Sequence, residues 1–289
     1  MKKYLIISDL DGTLLDSNGQ LTQNTIDTVN EITNQGHIFC IATGRPKRGS
    51  IDIYNELKLN SIMLNQNGAY ISNPTDPHFS PIDFCFSKEI AKNILKIKEV
   101  RDIISNAFLE TRTYELQLTK IDNPDYAEDL LKYYHLDVNN DKHLKSLNND
   151  PDNLDVDVSA LLLYIKSDDI SQFDTIVYFV KTVSPNLQLR MVNLPNCGFV
   201  VEINTMFTDK VMGLNYLASY YGIPTDRILT FGDGDNDMRM LQNAKYGFAM
   251  KNGRDTAKLT ARHITKHTNN EDGVAWELKY FFKHLENLN

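Results

Sequence analysis

The stretch Tyr4-Leu5-Ile6-Ile7-Ser8-Asp9-Leu10-Asp11-Gly12-Thr13 determines the fold expected for the first part of the chain. Its short apolar run has the length of a buried strand, and two carboxylates follow it directly. Alternate side chains of an extended segment point to the same side, so Asp9 and Asp11 can share one ligand. Gly12 permits a sharp turn whose backbone N–H groups can bind an anion. The pair therefore favours a ligand site over a simple turn or helix cap.

Short apolar runs alternate with helical patterns on both sides of a long middle segment. Strands are predicted at residues 4–8, 37–42 and 61–64, with helices at 23–33 and 47–57 between them. Such alternation indicates a parallel sheet with right-handed crossovers. In the last third it predicts helices at 210–220, 236–242, 255–260 and 273–284, and strands at 227–231 and 246–249.

The middle of the chain follows a different pattern. Here β-rich runs mix with predicted helices at 88–100, 126–134 and 170–183, and the polar segment 139–153 is typical of a surface loop. Prolines near 74–81 and at Pro195 suggest hinges at the two ends.

This change of pattern predicts two domains. We expect an α/β fold with a Rossmann-like parallel-sheet core, formed by residues 1–82 and 194–289. An inserted α+β cap domain is expected at residues 83–193.

Composition and net charge disfavour several classes of protein. The chain has 289 residues and a formal net charge of −8, which disfavours a nucleic-acid partner because such proteins usually carry a basic field. Three cysteines cannot form a full disulfide framework, which fits a reducing compartment. We find neither a secretory signal nor an apolar run of membrane-spanning length. We therefore expect a cytoplasmic protein without a membrane partner, either a monomer or a homodimer.

Two further strand ends carry candidate ligand groups. Thr43 and Gly44 follow the second predicted strand, where a hydroxyl and a free amide suit a phosphate oxygen, although Thr-Gly also begins many helices. The segment Gly232-Asp233-Gly234-Asp235-Asn236-Asp237 follows a late strand, and its carboxylates suit Mg²⁺. An EF-hand loop is excluded by spacing, because Met238 and Ala244 occupy the positions that require Gly and Glu.

Lys210 lies in the first turn of a predicted helix. There the helix dipole disfavours a cation by about 0.3–1 kcal/mol. A negative group nearby would offset that cost, although an exposed lysine at this position is also tolerated.

These segments together resemble the four ordered motifs of the haloacid dehalogenase superfamily of phosphohydrolases. The motifs are DLDGT (9–13), IATGR (41–45), the helix-leading Lys210 and GDGDND (232–237). The long insertion resembles the cap of the Cof-type sugar-phosphatase branch, called class IIB. Further local matches to that branch are NQNGA (65–69), AMKNG (249–253) and EDGV (271–274).

The resemblance implies a role for each motif residue. Asp9 would be the nucleophile that forms an aspartyl-phosphate intermediate, and Asp11 the general acid and base. Mg²⁺ would be the cofactor, held by the Asp9 carboxylate, the Asp11 carbonyl and Asp233, with Asp237 acting through water or a lysine pair. The phosphoryl oxygens would be bound by Thr43, Gly44, Lys210 and Asn236.

The resemblance also limits the reaction. An aspartate two positions after the nucleophile fits phosphatases and phosphomutases, whereas P-type ATPases have threonine there. We expect a phosphatase of small phosphorylated metabolites such as hexose phosphates, with pyridoxal phosphate and flavin mononucleotide as close competitors. A sugar phosphomutase and a noncatalytic regulator that binds a phosphorylated metabolite stay open as alternatives. The cap is expected to set specificity, and candidate substrate contacts are Arg45, Arg190 and Asn193.

Overall fold

The fold is described from a computed structural model of the chain, which covers residues 2–112, 115–118, 144–165, 171–194 and 198–286. The predicted helix at 126–134 and the first part of the predicted loop at 139–153 lie outside these residues. The strands are β1 (Leu5–Ser8), β2 (Ile38–Ile41), β3 (Met63–Asn65), β4 (Tyr70–Ser72), β5 (Ile82–Asp83), β6 (Ile104–Glu110), β7 (Glu115–Gln117), β8 (Leu144–Ser146), β9 (Ala160–Ile165), β10 (Leu187–Leu194), β11 (Gly198–Thr205), β12 (Ile228–Gly232), β13 (Tyr246–Ala249) and β14 (His263–Ile264).

The helices account for most of the remaining ordered elements. Within the described ranges, no helix is long and apolar enough to cross a membrane. The α-helices are α1 (Gln23–Asn34), α2 (Ile51–Glu56), α3 (Lys88–Lys96), α4 (Lys98–Ile103), α5 (Ser171–Val183), α6 (Lys210–Tyr221), α7 (Met238–Asn243), α8 (Asp255–Thr260) and α9 (Gly273–Glu286).

The chain forms two compact units. The first comprises residues 1–82 and 209–289, and the second residues 83–208. The second boundary lies later than the position 194 expected from Pro195. The reason is that β10 and β11 pair antiparallel from Leu187–Thr205 to Leu194–Gly198, so the chain near Pro195 connects two strands of one hairpin inside the second unit.

The first unit has a parallel sheet of five strands in the order β14-β13-β12-β1-β2. Strand β1 lies inside the sheet, between β12 and β2, and every residue in it is buried, as expected for a parallel sheet covered on both faces. One helix on this sheet, α1, is capped by Thr22, whose side chain accepts a hydrogen bond from the Thr25 N–H. Such a cap stabilises a helix by about 1 kcal/mol.

The third predicted strand does not extend this sheet. Strand β3 pairs antiparallel with β4 in a separate small sheet. It is linked to the end of β2 by a parallel bridge between Ala42 and Leu64, where the Thr43 N–H donates to the Leu64 carbonyl at 3.0 Å. The predicted helix at 47–57 is also divided, into a 3₁₀ turn at Lys47–Gly49 and α2.

The second unit has a six-stranded sheet in the order β10-β11-β9-β6-β7-β8. Its described pairs are antiparallel except β7 with β8. Apolar residues of α3, α4 and α5 form one buried cluster with the sheet. The predicted helix at 88–100 is interrupted at Ile97, whose backbone is extended (φ −66°, ψ 121°). Together the two units confirm the predicted α/β core with an inserted α+β segment.

Candidate active site

The first acidic motif follows the interior strand β1 of the parallel sheet at a sharp turn. The Asp9 N–H donates to the Phe231 carbonyl at 3.0 Å, which continues the pairing of β1 with β12 by one residue. Gly12 follows with φ +69°, and a Cβ added there would lie 2.5 Å from Oδ2 of Asp233. Glycine is therefore required on two grounds, its left-handed backbone and its close approach to the fourth motif.

The carboxylates of Asp9, Asp233 and Asp237 form the centre of the site. One oxygen from each lies within 4.8 Å of the others. Asp9 and Asp237 are buried, and Asp233 is half-buried. The chain crosses this region twice, at the carboxyl ends of the neighbouring strands β1 and β12, which is why residues so far apart in sequence meet.

Lys210 is the cation of this cluster. Its Nζ lies 2.8 Å from Oδ1 of Asp9 and 2.6 Å from Oδ1 of Asp237, and its side chain is 0% exposed. Asp209 begins α6, accepting a hydrogen bond from the Val211 N–H at 3.0 Å. It is in turn paired with Arg239 at 2.7 Å. The cost of a cation in the first turn of α6 is thus offset by two buried carboxylates.

Burial and crowding of like charges perturb the acids of the cluster. Burial raises the pKa of Asp9 well above its usual range, and the neighbouring Asp237 and Asp233 add to this effect while Lys210 opposes it. Burial and then Asp237 raise the pKa of Asp233 to about 6. For Lys210, burial alone would lower the pKa, but the Asp237 and Asp9 carboxylates outweigh it and raise the pKa. A cation added to the cluster would relieve this crowding.

The fourth motif is shaped by hydrogen bonds to Asp237. Its Oδ2 accepts from the N–H groups of Asp233 and Gly234 at 3.0 and 2.9 Å. Oδ1 of Asp233 accepts from the Thr13 hydroxyl at 3.2 Å. The predicted helix at 236–242 accordingly begins later, at Met238, because the preceding residues form this turn. The turn fixes the Asp233 carboxylate beside the first motif.

Asp11 lies apart from this cluster and is paired with Arg45. The Arg45 Nε donates to Oδ2 of Asp11 at 2.7 Å, and Nη2 donates to Oδ1 of the same carboxylate. The Asp11 side chain is 58% exposed, whereas that of Arg45 is 12% exposed. The structure therefore places Arg45, a candidate substrate contact in the sequence, on the carboxylate of Asp11.

Asn67, to which the sequence analysis assigned no role, contacts candidate phosphate-binding residues of both the second and the fourth motif. Thr43 is buried and Gly44 is exposed beside it. The Asn67 N–H donates to the Thr43 carbonyl at 2.9 Å, and Oδ1 of Asn67 accepts from Nδ2 of Asn236 at 2.8 Å. The sequence held one signal for Asn67, because the segment at 65–69 resembles the family. That resemblance did not indicate which residues Asn67 contacts.

A second asparagine outside the four motifs braces the first motif. Nδ2 of Asn252 donates to the Gly12 carbonyl at 2.8 Å, and its Oδ1 accepts from the Asn269 N–H at 2.9 Å. Asn269 in turn donates through Nδ2 to the Leu15 carbonyl at 2.9 Å. Asn252 lies within the local match at 249–253, and Asn269 lies just before the local match at 271–274.

The other two candidate substrate contacts belong to the second unit. Arg190 lies on β10, and its Nη2 donates to the Thr208 carbonyl at 3.0 Å. Asn193 lies opposite Phe199 in the β10–β11 hairpin. Its side chain is outside the described residues.

A parallel α/β core, an inserted α+β unit and an acidic cluster at the strand ends are together typical of one class of hydrolase. The chain belongs to the haloacid dehalogenase-like hydrolase family, which its residues 6–278 match. This confirms the haloacid dehalogenase resemblance that the four motifs indicated.

Curated relatives and solved structures agree with this assignment. The chain is 32% identical over 284 residues to 5-amino-6-(5-phospho-D-ribitylamino)uracil phosphatase YitU of Bacillus subtilis, covering 97% of this chain and 98% of the relative. A second Bacillus subtilis phosphatase with the same description, YcsE, is 23% identical over 279 residues, covering 96% and 95%.

Two solved structures share the fold along nearly the whole chain. A haloacid dehalogenase-like hydrolase from Bacteroides thetaiotaomicron matches with a TM-score of 0.79 at 22% identity, over 97% of this chain and 100% of its own. A subclass IIB sugar phosphatase of the same superfamily matches with a TM-score of 0.75 at 19% identity, over 96% and 99%. The protein is thus a phosphatase, as the sequence predicted.

Proposed function

We propose that this protein is a Mg²⁺-dependent phosphatase of a small phosphorylated metabolite that forms an aspartyl-phosphate on Asp9. The observation that carries the proposal is the buried cluster in which Lys210 Nζ lies 2.8 Å from the Asp9 carboxylate. A buried carboxylate held by one cation is oriented as a nucleophile must be. The comparisons favour this hydrolase over the phosphomutase and the noncatalytic regulator that the sequence left open.

The charges of the cluster fit a divalent metal ion. Asp9, Asp233 and Asp237 supply three carboxylates against the single ammonium of Lys210, so the ionised cluster has two uncompensated negative charges. All of its ligand atoms are oxygens, which suit Mg²⁺. Asp9 and Asp233 would hold the ion with the Asp11 carbonyl, and Asp237 would support it. When bound, Mg²⁺ neutralises carboxylate charge and polarises the phosphoryl group.

In the first step, an oxygen of the Asp9 carboxylate attacks the phosphorus of the ester. The new bond joins that oxygen to phosphorus, and the bond from phosphorus to the ester oxygen breaks. The carboxyl proton of Asp11 passes to the departing ester oxygen, which leaves as an alcohol. Asp11 is exposed and lies two residues after the buried nucleophile, and its carboxyl group must leave at least one of its two contacts with Arg45 to reach the leaving group.

In the second step, water attacks the phosphorus of the aspartyl-phosphate. The Asp11 carboxylate accepts a proton from that water, and the bond from phosphorus to the Asp9 oxygen breaks. Inorganic phosphate leaves, and both carboxyl groups return to their starting states. Throughout, N–H and O–H groups stabilise charge on the phosphoryl oxygens, supplied by Thr43, Gly44, Lys210 and Asn236.

We further propose a phosphorylated ribitylaminopyrimidine as the first substrate to test, ahead of hexose phosphates and phosphorylated cofactors. Support comes from the relative at 32% identity, which is described as a phosphatase of such a compound. Asp11 also borders an open groove of about 440 Å³ in the first unit whose lining residues are all polar or glycine. Such walls suit a leaving group with many hydroxyls. The inserted unit, with Arg190 and Asn193, is expected to refine this choice.

The test is phosphate release by purified protein from 5-amino-6-(5-phospho-D-ribitylamino)uracil, hexose phosphates, pyridoxal phosphate and flavin mononucleotide, each with Mg²⁺ and with EDTA. We expect release only with Mg²⁺, and the highest kcat/KM for the ribitylaminopyrimidine. Asp9→Asn should bind these compounds without turnover.

Two outcomes would contradict the proposal. Full activity of Asp9→Asn would exclude the aspartyl-phosphate route. Conversion of a hexose 1-phosphate to the 6-phosphate without phosphate release would identify a mutase instead. A preference for hexose phosphates would overturn the substrate choice alone.

A further inference from the structure

The turn that follows β3 has an unusual backbone. Three consecutive residues, Gln66, Asn67 and Gly68, have positive φ angles of 50°, 54° and 94°. Residues other than glycine rarely adopt this left-handed conformation, and two in a row must be held in place by their surroundings. Asn67 is only 6% exposed, so it does not serve as an ordinary solvent-facing turn residue. Strain of this kind often accompanies a functional contact.

Three segments of the phosphate site converge on this turn. The Asn67 N–H donates to the Thr43 carbonyl at 2.9 Å, and Oδ1 of Asn67 accepts from Nδ2 of Asn236 at 2.8 Å. Gly68 approaches the start of α6 so closely that a Cβ would lie 3.1 Å from the carbonyl of Asp209, the residue before Lys210. One turn therefore touches the second motif, the fourth motif and the residue that precedes the lysine.

The contact with Asn67 restricts the orientation of the Asn236 side-chain amide. A side-chain amide has two N–H donors in one plane. Because Asn67 accepts one of them, it fixes the plane of the Asn236 amide and with it the direction of the second N–H. Asn236 is only half-buried and follows a glycine-containing turn, so its amide needs such a partner to keep one orientation. A donor fixed before the substrate arrives costs no reorganisation during the reaction.

From these contacts we infer that Asn67 is a positioning residue that aims the free N–H of Asn236 at a phosphoryl oxygen. The inference rests on the proposed function, which gives Asn236 a phosphoryl group to bind. It adds a residue outside the four motifs to the machinery. It also explains why an asparagine occupies a left-handed position where glycine would be less strained.

The test is a double-mutant cycle with Asn67→Gly, Asn236→Ala and the double variant. Glycine suits the left-handed backbone, so Asn67→Gly removes the side chain while preserving the turn, and its melting temperature should equal or exceed that of the parent. Two quantities are measured for each protein: the affinity for inorganic phosphate with Mg²⁺ by calorimetry, and kcat/KM for the best substrate. Lys58→Gly is the matched control, because Lys58 also has a positive φ of 53° but lies outside the motifs.

We expect Asn67→Gly to lower kcat/KM and phosphate affinity about tenfold, the loss typical of an orienting partner. Lys58→Gly should leave both unchanged. If Asn67 acts through Asn236, the double variant will match Asn236→Ala alone. An unchanged Asn67→Gly protein, or losses that add in the double variant, would overturn the inference.

Phosphate binding separates this inference from the proposed function. Binding of the product requires no turnover, so the cycle can be completed on a protein that hydrolyses nothing. A parent protein that binds phosphate but releases none from any ester would refute the proposed function, and the cycle would still support or overturn the role of Asn67. A parent that binds no phosphate would overturn the inference itself.

Discussion

The Nζ of Lys210 lies 2.8 Å from Oδ1 of Asp9, although the two residues come from distant parts of the chain. The same ammonium lies 2.6 Å from Asp237, so one buried cation orients the first motif and the fourth. An ion pair this deeply buried contributes less to stability than its geometry suggests, because both partners lose their hydration. Its value here is that it fixes the relative positions of the groups that we propose bind the phosphoryl group.

Replacement of Lys210 by methionine should be costly for stability as well as activity. Asp9 and Asp237 would remain buried without their cation, which typically destabilises a fold by about 3 kcal/mol. Adding Asp237→Asn to Lys210→Met should restore part of the loss by removing one unpaired charge. Urea unfolding in EDTA measures both effects, and turnover should fall at least ~100-fold. A double variant no more stable than Lys210→Met would contradict this account.

Much of the fold and of the acidic cluster could be predicted because strand periodicity and strand ends are local features. The apolar run before Asp9 predicts β1, and the run before Gly232 predicts β12. Parallel strands bring their carboxyl ends to one edge, so the first and fourth motifs were expected at the same edge of the sheet. That β1 and β12 are neighbours was learned from the structure. The helix dipole also indicated that Lys210 needed a negative neighbour.

The side-chain pairings of the site could not be predicted in the same way. Whether Arg45 contacts a substrate or Asp11 depends on the rotamer of one loop side chain, which hydrophobic periodicity does not predict. The contact between Asn67 and Asn236 depends on a left-handed turn that asparagine tolerates but does not require. Pro195 suggested a hinge, yet the chain there connects β10 and β11. A proline near a strand end fits both situations equally well.

Substitution of Gly12 tests the contact between the first and fourth motifs. Gly12→Ala and Gly36→Ala both place an L-residue at positive φ, at +69° and +90°. Each should cost about 1–2 kcal/mol of stability. Of the two, Gly12→Ala also places a Cβ 2.5 Å from Asp233, whereas no described residue has an atom within 4 Å of a Cβ at Gly36. Displacement of Asp233 should lower kcat/KM about 100-fold, whereas Gly36→Ala should retain activity. Equal activity of the two variants would contradict the proposed role of this close approach.

Arg45→Lys distinguishes two roles for the arginine. Lysine keeps the charge but cannot form the two-pronged contact with Asp11. If Arg45 positions Asp11, steady-state kinetics should show kcat about tenfold lower with little change in KM. Arg254→Lys is the control, because Arg254 forms an exposed ion pair with Asp235 at 2.6 Å and should have no effect. A higher KM with unchanged kcat would instead support the substrate contact expected from the sequence.

His37 should make the stability of the first unit sensitive to acid. Its ring is 5% exposed and stacks on Phe282 at a centroid distance of 4.3 Å. Nδ1 accepts the Tyr4 N–H at 3.1 Å, and Nε2 has no hydrogen-bond partner among the described residues. Protonation would add charge inside this cluster and remove the acceptor for Tyr4. Burial accordingly lowers the pKa of His37 below its usual value.

The lowered pKa fixes the sign of the acid effect. Above pH ~6.5 the histidine is neutral in both folded and unfolded chains and contributes no slope. As the pH falls below ~6.5, the unfolded chain binds a proton that the folded one resists, so the free energy of unfolding decreases until the pH reaches the folded-state pKa. The slope from this group is at most about 1.4 kcal/mol per pH unit. Urea unfolding between pH 7.5 and 5 should therefore show that the free energy of unfolding declines less steeply for His37→Asn than for the parent. The control is His78→Asn, at an exposed turn, which should decline as the parent does. A parental slope in His37→Asn would place the acid sensitivity elsewhere in the chain.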